Sequence, residues 1–545
     1  MVPARRAIRN LRTVGKRLQF GDSTKREATG KQALLQILVL RRALRRVLGS
    51  DEKVGVLLPT STIGVLINGA LAFDRRVPIN LNYTFTNDIN NYCIKKVGIK
   101  KILTSQKLLA KLPHLNLDAE LLVLEELAPN IAKIDKILGL LDSLTPTWLL
   151  ERRLGLTKVK LTDLNTVVFT SGSTGMPKGV MLTHCNVAAN MQSFGQSASP
   201  TPDDSLLGTL PFFHSFGYTV SIWFPLAYPY ACYYHFNPLE PRQVAEVARR
   251  YRPTLFPTTP TFLRTYLRRC DPADFESIDF PVPGAEKTPA DLRDAWKEKF
   301  GYELCEGYGA TEMAPVMSVN KPPRRAPDNF SPYHKAGSIG RTSPNFVAKV
   351  VDTTTGEELP PNVSGMLLVK SNSITPGYYD DPERTAKIFV GDWYVSGDIA
   401  KIDEDNFIFI TGRETRMSKI GGEMAPHGLI EERLAQVVQD WERENAAPNA
   451  AASDDDAKSA LRLVVTAVPD EKKGEKLVVL YTDLPSNIDE LCKRTAATGL
   501  PQLWVPSPVN FRKVDAIPIL GTGKLDLKGV KDLALQIYGL ADAQD

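Results

Sequence analysis

Between residues 50 and 105 the chain switches between two hydrophobic periods. Short apolar runs at Val54–Leu58, Val77–Leu81 and Lys101–Thr104 have the length and β-branching of buried strands, and stretches with helical spacing at Ile63–Phe73 and Asp88–Val97 separate them. That rhythm predicts parallel βαβ units and an α/β fold. Val54 to Ala72 is apolar enough to suggest a membrane span, but Pro59, Asn68 and three hydroxyl residues break it into strand, turn and helix. Residues 106–160 are Leu-rich and charged, and they read as helices without a chemical motif. Val167–Phe169 is another buried strand. Pro253–Pro260 and Val282–Glu286 each read as strand then turn, which places their loops at the carboxyl ends of parallel strands, where open α/β sheets bind ligands. After Leu210-Pro-Phe-Phe-His-Ser-Phe-Gly217 a helical pattern puts Phe216, Val220, Trp223 and Phe224 on one face. Near the carboxyl end, Leu463–Val468 and Leu477–Tyr481 form a hairpin joined through Asp470–Gly474, and the Ala-rich stretch 445–459 with Asp454–Asp456 reads as an exposed insertion.

Composition narrows the class without naming a function. At 545 residues the chain exceeds a single core and divides into at least two domains. Its 43% hydrophobic and 24% charged content is that of an ordinary globular protein, and a formal charge of +5 is too small to argue for nucleic acid as a partner. The six cysteines form no C-x-x-C pair and fit reduced thiols in a cytoplasmic compartment. The six histidines make no ligand spacing for a transition metal. Only the first twenty residues stand out: Arg5, Arg6, Arg9, Arg12, Lys16 and Arg17 interleave with Ala7, Ile8, Leu11, Val14 and Leu18, with no acidic residue among them. Two readings stay open, a basic amphipathic helix resting on an anionic membrane (or serving as a transit peptide) and a solvated or frayed terminus.

The chemistry concentrates in four places. T-S-G-S-T-G-M-P-K-G-V (170–180) follows the Val167–Phe169 strand. Its glycines let backbone N–H groups approach an anion, while Ser171, Ser173, Thr174 and Lys178 add donors and charge. A P-loop needs Gly-Lys-Ser/Thr opening a helix, whereas Lys178 sits between Pro177 and Gly179, so this is a different phosphate loop. Gly307-Tyr-Gly-Ala-Thr-Glu312 frames Tyr308 with glycines that let its ring meet a flat ligand, and Thr311 with Glu312 offers oxygens to a hard cation; a turn with a helix cap is the alternative. Asp398, in G-D-W-Y-V-S-G-D, reads either as a carboxylate for ribose hydroxyls or as part of a hairpin turn. His214, between Phe213 and Phe216, and the aromatic stripe behind it fit either core packing or a ligand wall.

In this combination the chain resembles the adenylate-forming superfamily of acyl-CoA synthetases, adenylation domains and luciferases. The carrying residues are the 170–180 loop, Y-G-A-T-E (308–312), S-G-D (396–398), G-R (412–413) and G-T-G-K (521–524), in the family's order from about Asp51 onward. K-I-G-G-E-M (419–424) and I-P-I-L-G-T-G-K-L-D (517–526) resemble the ligase half of the bifunctional acyl-[acyl-carrier-protein] synthetase/2-acylglycerophosphoethanolamine acyltransferase. No histidine has an Asp five residues on, so the acyltransferase motif is missing and a free-standing ligase is expected.

The resemblance implies a basic N-terminal lead (1–50), a large domain (51–412) of mixed and parallel sheets layered with helices plus a small β-barrel-like part, and a small mobile α+β domain (413–545). It further implies that Thr170, Ser171, Gly172, Ser173, Thr174, Gly175 and Lys178 cradle the phosphates of ATP. Gly284, Ala285, Glu286, Tyr308 and Gly309 would line adenine, and Asp398 with Arg413 would hold ribose. Thr311 and Glu312 would bind phosphate and Mg²⁺, and Lys524 would stabilise charge building on the α-phosphate. Thr415, where relatives usually carry Asp or Lys, falls at the hinge, with Lys419, Gly421 and Gly422 near the thiol channel. Phe213, His214, Phe216, Val220 and Trp223 would wall an acyl pocket. The implied reaction activates a long-chain fatty acid as acyl-AMP and passes it to a phosphopantetheine thiol, of acyl-carrier protein in the first reading and of coenzyme A in the alternative. A third reading is a catalytically silent lipid-binding protein at a membrane.

Overall fold

The computed structural model describes residues 1–170, 176–199, 201, 203–322, 325, 333–413, 416–420, 423–445, 462–470, 474–519 and 525–540. Strands Val77–Asn80, Lys53–Leu57, Lys101–Thr104 and Glu120–Val123 lie side by side in that order, every pair parallel, with helices Thr62–Phe73 and Asn87–Val97 as the crossovers. This is the βαβ region expected from the alternating periods. A second, six-stranded sheet runs Phe280–Pro283, Leu255–Thr258, Ser205–Gly208, Ala231–Tyr234, Leu18–Asp22, Glu27–Thr29, and is parallel except for the last pair.

Two strands of that sheet come from the first fifty residues, which corrects their reading as a separate lead. The helix Pro3–Val14 is amphipathic as expected, but its apolar face is sealed in the main core: Ala4, Ala7, Ile8 and Leu11 are buried against the Gly30–Leu48 helix and the Phe224–Ala227 turn. Burying Ile8 and Leu11 contributes about 1.5–3 kcal/mol each. The arginines opposite are also engaged. Arg5 Nε and Arg9 Nε each donate to the buried Glu151 carboxylate at 2.8 Å. Burial would raise the Glu151 carboxyl, but these hydrogen bonds and charges outweigh it and hold the group below the usual carboxylate range. The apolar face that would meet lipid is therefore already covered by the protein's own core.

The strands Leu164–Thr170 and Lys178–Thr183 are antiparallel and pair Thr170 with Lys178, so a second strand begins at the end of the 170–180 motif where the sequence shows only a loop. Two antiparallel sheets complete the large unit: Gly307–Gly309, Val316–Val319 and Arg341–Thr342, then Phe346–Val351, Gly365–Ser371, Trp393–Ile402 and Phe389–Val390, with Ile408–Arg413 added on Trp393–Ile402. Beyond this, a mixed sheet (Glu423–Pro426, Met417–Ile420, Gly474–Tyr481, Leu463–Asp470, with Phe511–Lys513 parallel to Gly474–Tyr481) packs on helices His427–Asn445, Ile488–Ala497 and Leu527–Ile537. Its two apolar clusters draw only on residues from Ile420 onward. The Leu463/Tyr481 hairpin has the predicted pairing. The cysteines are all free thiols, and no helix among the described residues is long and apolar enough to cross a membrane.

Candidate active site

Asp398 is not in a hairpin turn; it lies inside Trp393–Ile402, directly across from Arg413 at the end of Ile408–Arg413. Gly397 supplies a positive φ of 72° just before it, and Ser396 Oγ accepts from the Asp398 N–H at 3.0 Å, so the backbone fixes where the carboxylate sits. Arg413 Nε donates to Oδ1 at 2.7 Å, and the Tyr308 hydroxyl donates to Oδ2. Burial and then Asp398 push the Tyr308 hydroxyl well above its ordinary value, and the Asp398 charge raises the Arg413 guanidinium. Tyrosine stays a donor and arginine a cation. A carboxylate has about four lone-pair sites, of which these two bonds use two.

Gly307–Gly309 carries Tyr308 past the turn that follows Phe280–Pro283. Gly284 accepts no side chain easily, since a Cβ there would sit 3.3 Å from the Phe216 ring, and Ala285 holds a positive φ of 67°. Gly309 is more constrained still: a Cβ would lie 1.8 Å from the Pro315 carbonyl oxygen. Glu286 turns its carboxylate away, accepting from Thr261 Oγ1 at 2.6 Å at the start of helix Pro260–Arg269, so it caps a helix.

Thr311 and Glu312 open a single 3₁₀ turn, Thr311–Met313. Ser215 Oγ donates to Thr311 Oγ1 at 3.2 Å, and the Tyr378 hydroxyl donates to Glu312 Oε1 at 2.8 Å. Tyr378 also bridges to the hairpin: it pairs with Val180, its ring centre lies 5.2 Å from Lys178 Nζ, and the Tyr379 N–H donates to the Gly179 carbonyl at 2.7 Å. Tyr394, also buried, is pushed far up by burial and then by the charges of Glu312, Tyr378, Tyr308 and Asp398. Tyr378 and Tyr394 are missed by sequence reasoning because single tyrosines in ordinary strand and loop contexts carry no spacing signal; the only hint is Gly377-Tyr378-Tyr379 after a proline.

Thr311 and one open Glu312 oxygen form a hard-oxygen set suited to Mg²⁺ shared with substrate phosphates. Among the described residues no group of three or more His, Cys, Asp or Glu makes an all-protein metal cage. Ser171, Gly172, Ser173, Thr174, Gly175, Thr415, Gly421, Gly422 and Lys524 lie outside the described residues, as does the Lys419 side chain.

Of the acyl-wall candidates, Phe213 meets Tyr83 edge-on at 4.9 Å, Phe216 lies against Gly284, and His214 is half-buried beside Phe213. Val220 and Trp223 have no exposed surface and belong to the main core. The segment Gly217–Trp223 is a π-helix buried on every side, so spacing alone did not distinguish its faces.

Asp398 with Tyr308 and Arg413, and Glu312 with Tyr378, are thus two buried or half-buried carboxylates held by named partners on neighbouring antiparallel strands and turns. The chain belongs to the AMP-binding enzyme family, a sequence model of which matches residues 9–379. The match therefore begins well before Asp51, in agreement with the packed N-terminus. The chain is 29% identical over 372 residues to a long-chain-fatty-acid–CoA ligase of Bacillus subtilis (strain 168), covering 67% of this chain and 60% of that protein. It is 30% identical over 380 residues to the long-chain-fatty-acid–CoA ligase of Escherichia coli O6:H1, covering 68% and 62%. The alignments thus span less than two thirds of these relatives' length. Among solved structures, ATP-bound MatB from Rhodopseudomonas palustris superposes with a TM-score of 0.77 at 21% identity, covering 100% of both chains. O-succinylbenzoate coenzyme A synthetase (MenE) from Bacillus subtilis, in complex with ATP and magnesium ion, gives 0.77 at 18% identity, covering 97% of this chain and 99% of that one. These two establish the fold.

Proposed function

We propose that this protein joins a long-chain fatty acid to the thiol of coenzyme A in two steps through an acyl-adenylate. The observation that carries the reading is the pair of carboxylate corners, Asp398 with Tyr308 and Arg413, and Glu312 beside Thr311 and bonded by Tyr378. In the first step a carboxylate oxygen of the acid attacks the α-phosphorus of ATP, the bond to the bridging oxygen breaks, and pyrophosphate leaves. Asp398 and Arg413 hold the ribose, Tyr308 lies against adenine, Lys178 and the 171–175 loop hold the departing phosphates, and Lys524 meets the charge on the α-phosphate. Thr311 and Glu312 would hold a magnesium ion, which would supply charge neutralisation at the phosphates. In the second step the thiolate attacks the acyl carbon and AMP leaves. Between the steps the unit beyond Arg413 turns about a hinge at Thr415.

Coenzyme A is placed ahead of acyl-carrier protein because the relatives named above are CoA ligases. Carrier protein remains the second reading on the likeness of residues 419–424 and 517–526 to the carrier-protein ligase. The deciding experiment offers a fatty-acid panel with ATP and both acceptors in competition. Acyl-CoA as the dominant product supports the proposal, acyl-carrier protein alone moves it to the second reading, and release of ADP instead of AMP rejects both.

A further inference from the structure

The helix Lys133–Leu144 is inside out. Its Asp135, Gly139 and Asp142, at spacings of four and three, face inward, with both carboxylates 3% exposed, while Ile134, Ile137, Leu140, Leu141 and Leu144 face outward. With Trp148 from the next helix, these six side chains are between 46% and 65% exposed. The inward face is built for it. Arg46 Nη1 donates to Asp135 Oδ1 at 2.6 Å, Arg42 Nε to Asp142 Oδ2 at 3.3 Å, and Gly139 lets the helix close on Val39, where a Cβ would come within 2.6 Å of its Cγ2. Arg12, from the N-terminal helix, binds the following turn through the Ser143 carbonyl at 3.1 Å and Thr147 Oγ1 at 2.7 Å. The helix is thus fastened by charge on the side where a surface helix normally hides its aliphatic residues. A contiguous apolar patch of this kind marks an interaction surface.

Charge around the patch indicates the partner. From residue 131 to 160 the acidic residues are Asp135, Asp142 and Glu151, and all three are buried in ion pairs with arginines. Lys133, Lys136, Arg152, Arg153, Lys158 and Lys160 are all exposed. An aliphatic stripe with one tryptophan, on a segment (131–160) whose exposed charged residues are all cationic, between exposed Glu125 and Glu126 on one side and Asp163 on the other, has the composition of a helix that lies in the headgroup layer of an anionic bilayer. We propose that the Lys133–Leu144 helix and Trp148 dock this protein on anionic lipid membranes. The membrane contact that the basic N-terminus suggests in the sequence is transferred to the helix that this N-terminus fastens. The inference holds whatever acid and thiol the active site takes.

The test is flotation of the full chain with vesicles of phosphatidylcholine alone and of phosphatidylcholine mixed with phosphatidylglycerol. The wild-type chain is expected to float with the mixed vesicles and to be released by salt. The folded triple variant Ile137→Glu/Leu141→Glu/Leu144→Glu should lose binding by about tenfold or more, and Lys133→Glu/Lys136→Glu should lose it in part, with circular dichroism unchanged in both. Analytical ultracentrifugation runs alongside. A folded triple variant that floats like wild type overturns the proposal. So does a wild-type chain that ignores both vesicles, and in that case a dimer that the triple variant splits assigns the face to a second copy.

Discussion

The Tyr378 hydroxyl donates to Glu312 across 2.8 Å while the face of the same ring receives Lys178 at 5.2 Å. One side chain therefore joins the Leu164–Thr183 hairpin to the Thr311–Met313 turn. Burial and Glu312 push that hydroxyl far above the ordinary tyrosine value, so it remains a donor throughout the working range. Tyr378→Phe keeps the ring and removes the hydrogen bond. We expect acid-dependent ATP–pyrophosphate exchange to fall about 10- to 100-fold, as for other groups that orient a cation's ligand, with little change in thermal midpoint. Exchange equal to wild type would show that Glu312 needs no such support.

Asp398 is the other anchor, with both oxygens engaged by Tyr308 and Arg413. Asp398→Asn replaces an acceptor-only group with one that presents N–H groups to a neighbouring cation. The KM for ATP should rise about 10- to 100-fold, matching one or two lost charge-assisted hydrogen bonds, while the KM for the acid changes little. Titrating both substrates separates the two; equal changes in both would point to a general loss of structure.

Glycine substitutions should diverge sharply. Gly309→Ala places a methyl 1.8 Å from the Pro315 carbonyl oxygen and should cost about 1–3 kcal/mol or more through forced backbone movement. Gly428, within helix His427–Asn445, has nothing within 4 Å of the same position. There, in the helix's first turn, alanine should be neutral or stabilise by no more than about 0.5 kcal/mol. Thermal unfolding of both variants beside wild type measures the contrast.

The pH dependence has a named source in His184. Burial lowers its pKa from 6.5 to about 4, against a small upward pull from Asp163. Asn165 Nδ2 lies 2.9 Å from His184 Nδ1 while Asn165 Oδ1 accepts from Tyr218 at 2.8 Å, so the network needs a neutral ring with Nδ1 as acceptor. The unfolded chain takes up this proton at its ordinary value and the folded chain resists it. Stability is therefore full above pH 6.5 and declines as pH falls from there toward 4, by up to about 3 kcal/mol from this group. Thermal midpoints across that window should fall more steeply for wild type than for His184→Gln; parallel slopes would remove His184 as the source.

What the sequence reveals depends on whether a signal is local. Three strands of the four-stranded parallel sheet follow from period changes within residues 53–104, whereas Glu120–Val123 is hidden in a Leu-rich stretch that reads as helix. The 170–180 loop, Tyr308, Glu312 and Asp398 stand out because glycine and polar residues cluster beside apolar strands, though the strand Lys178–Thr183 after the loop does not. The N-terminal helix was ambiguous because a basic amphipathic pattern is the same whether its apolar face meets lipid or a core; only the partners, Glu151 among them, decide. Val220 and Trp223 show the converse limit, since a helix buried all round has no face to read. Tyr378 and Tyr394 come into the site through strand pairing between distant segments, which no local pattern encodes.

The central claim is that these two corners serve adenylate formation. The most direct measurement is fatty-acid-dependent ATP–pyrophosphate exchange by the full chain with magnesium, in wild type, Glu312→Gln and Lys524→Ala, together with thioester formation from supplied acyl-adenylate. The account predicts exchange by wild type that requires the acid, loss of exchange in both folded variants, and thioester formation that survives Lys524→Ala. Acid-independent exchange, none at all in a folded wild-type protein, or full exchange in Lys524→Ala would contradict it.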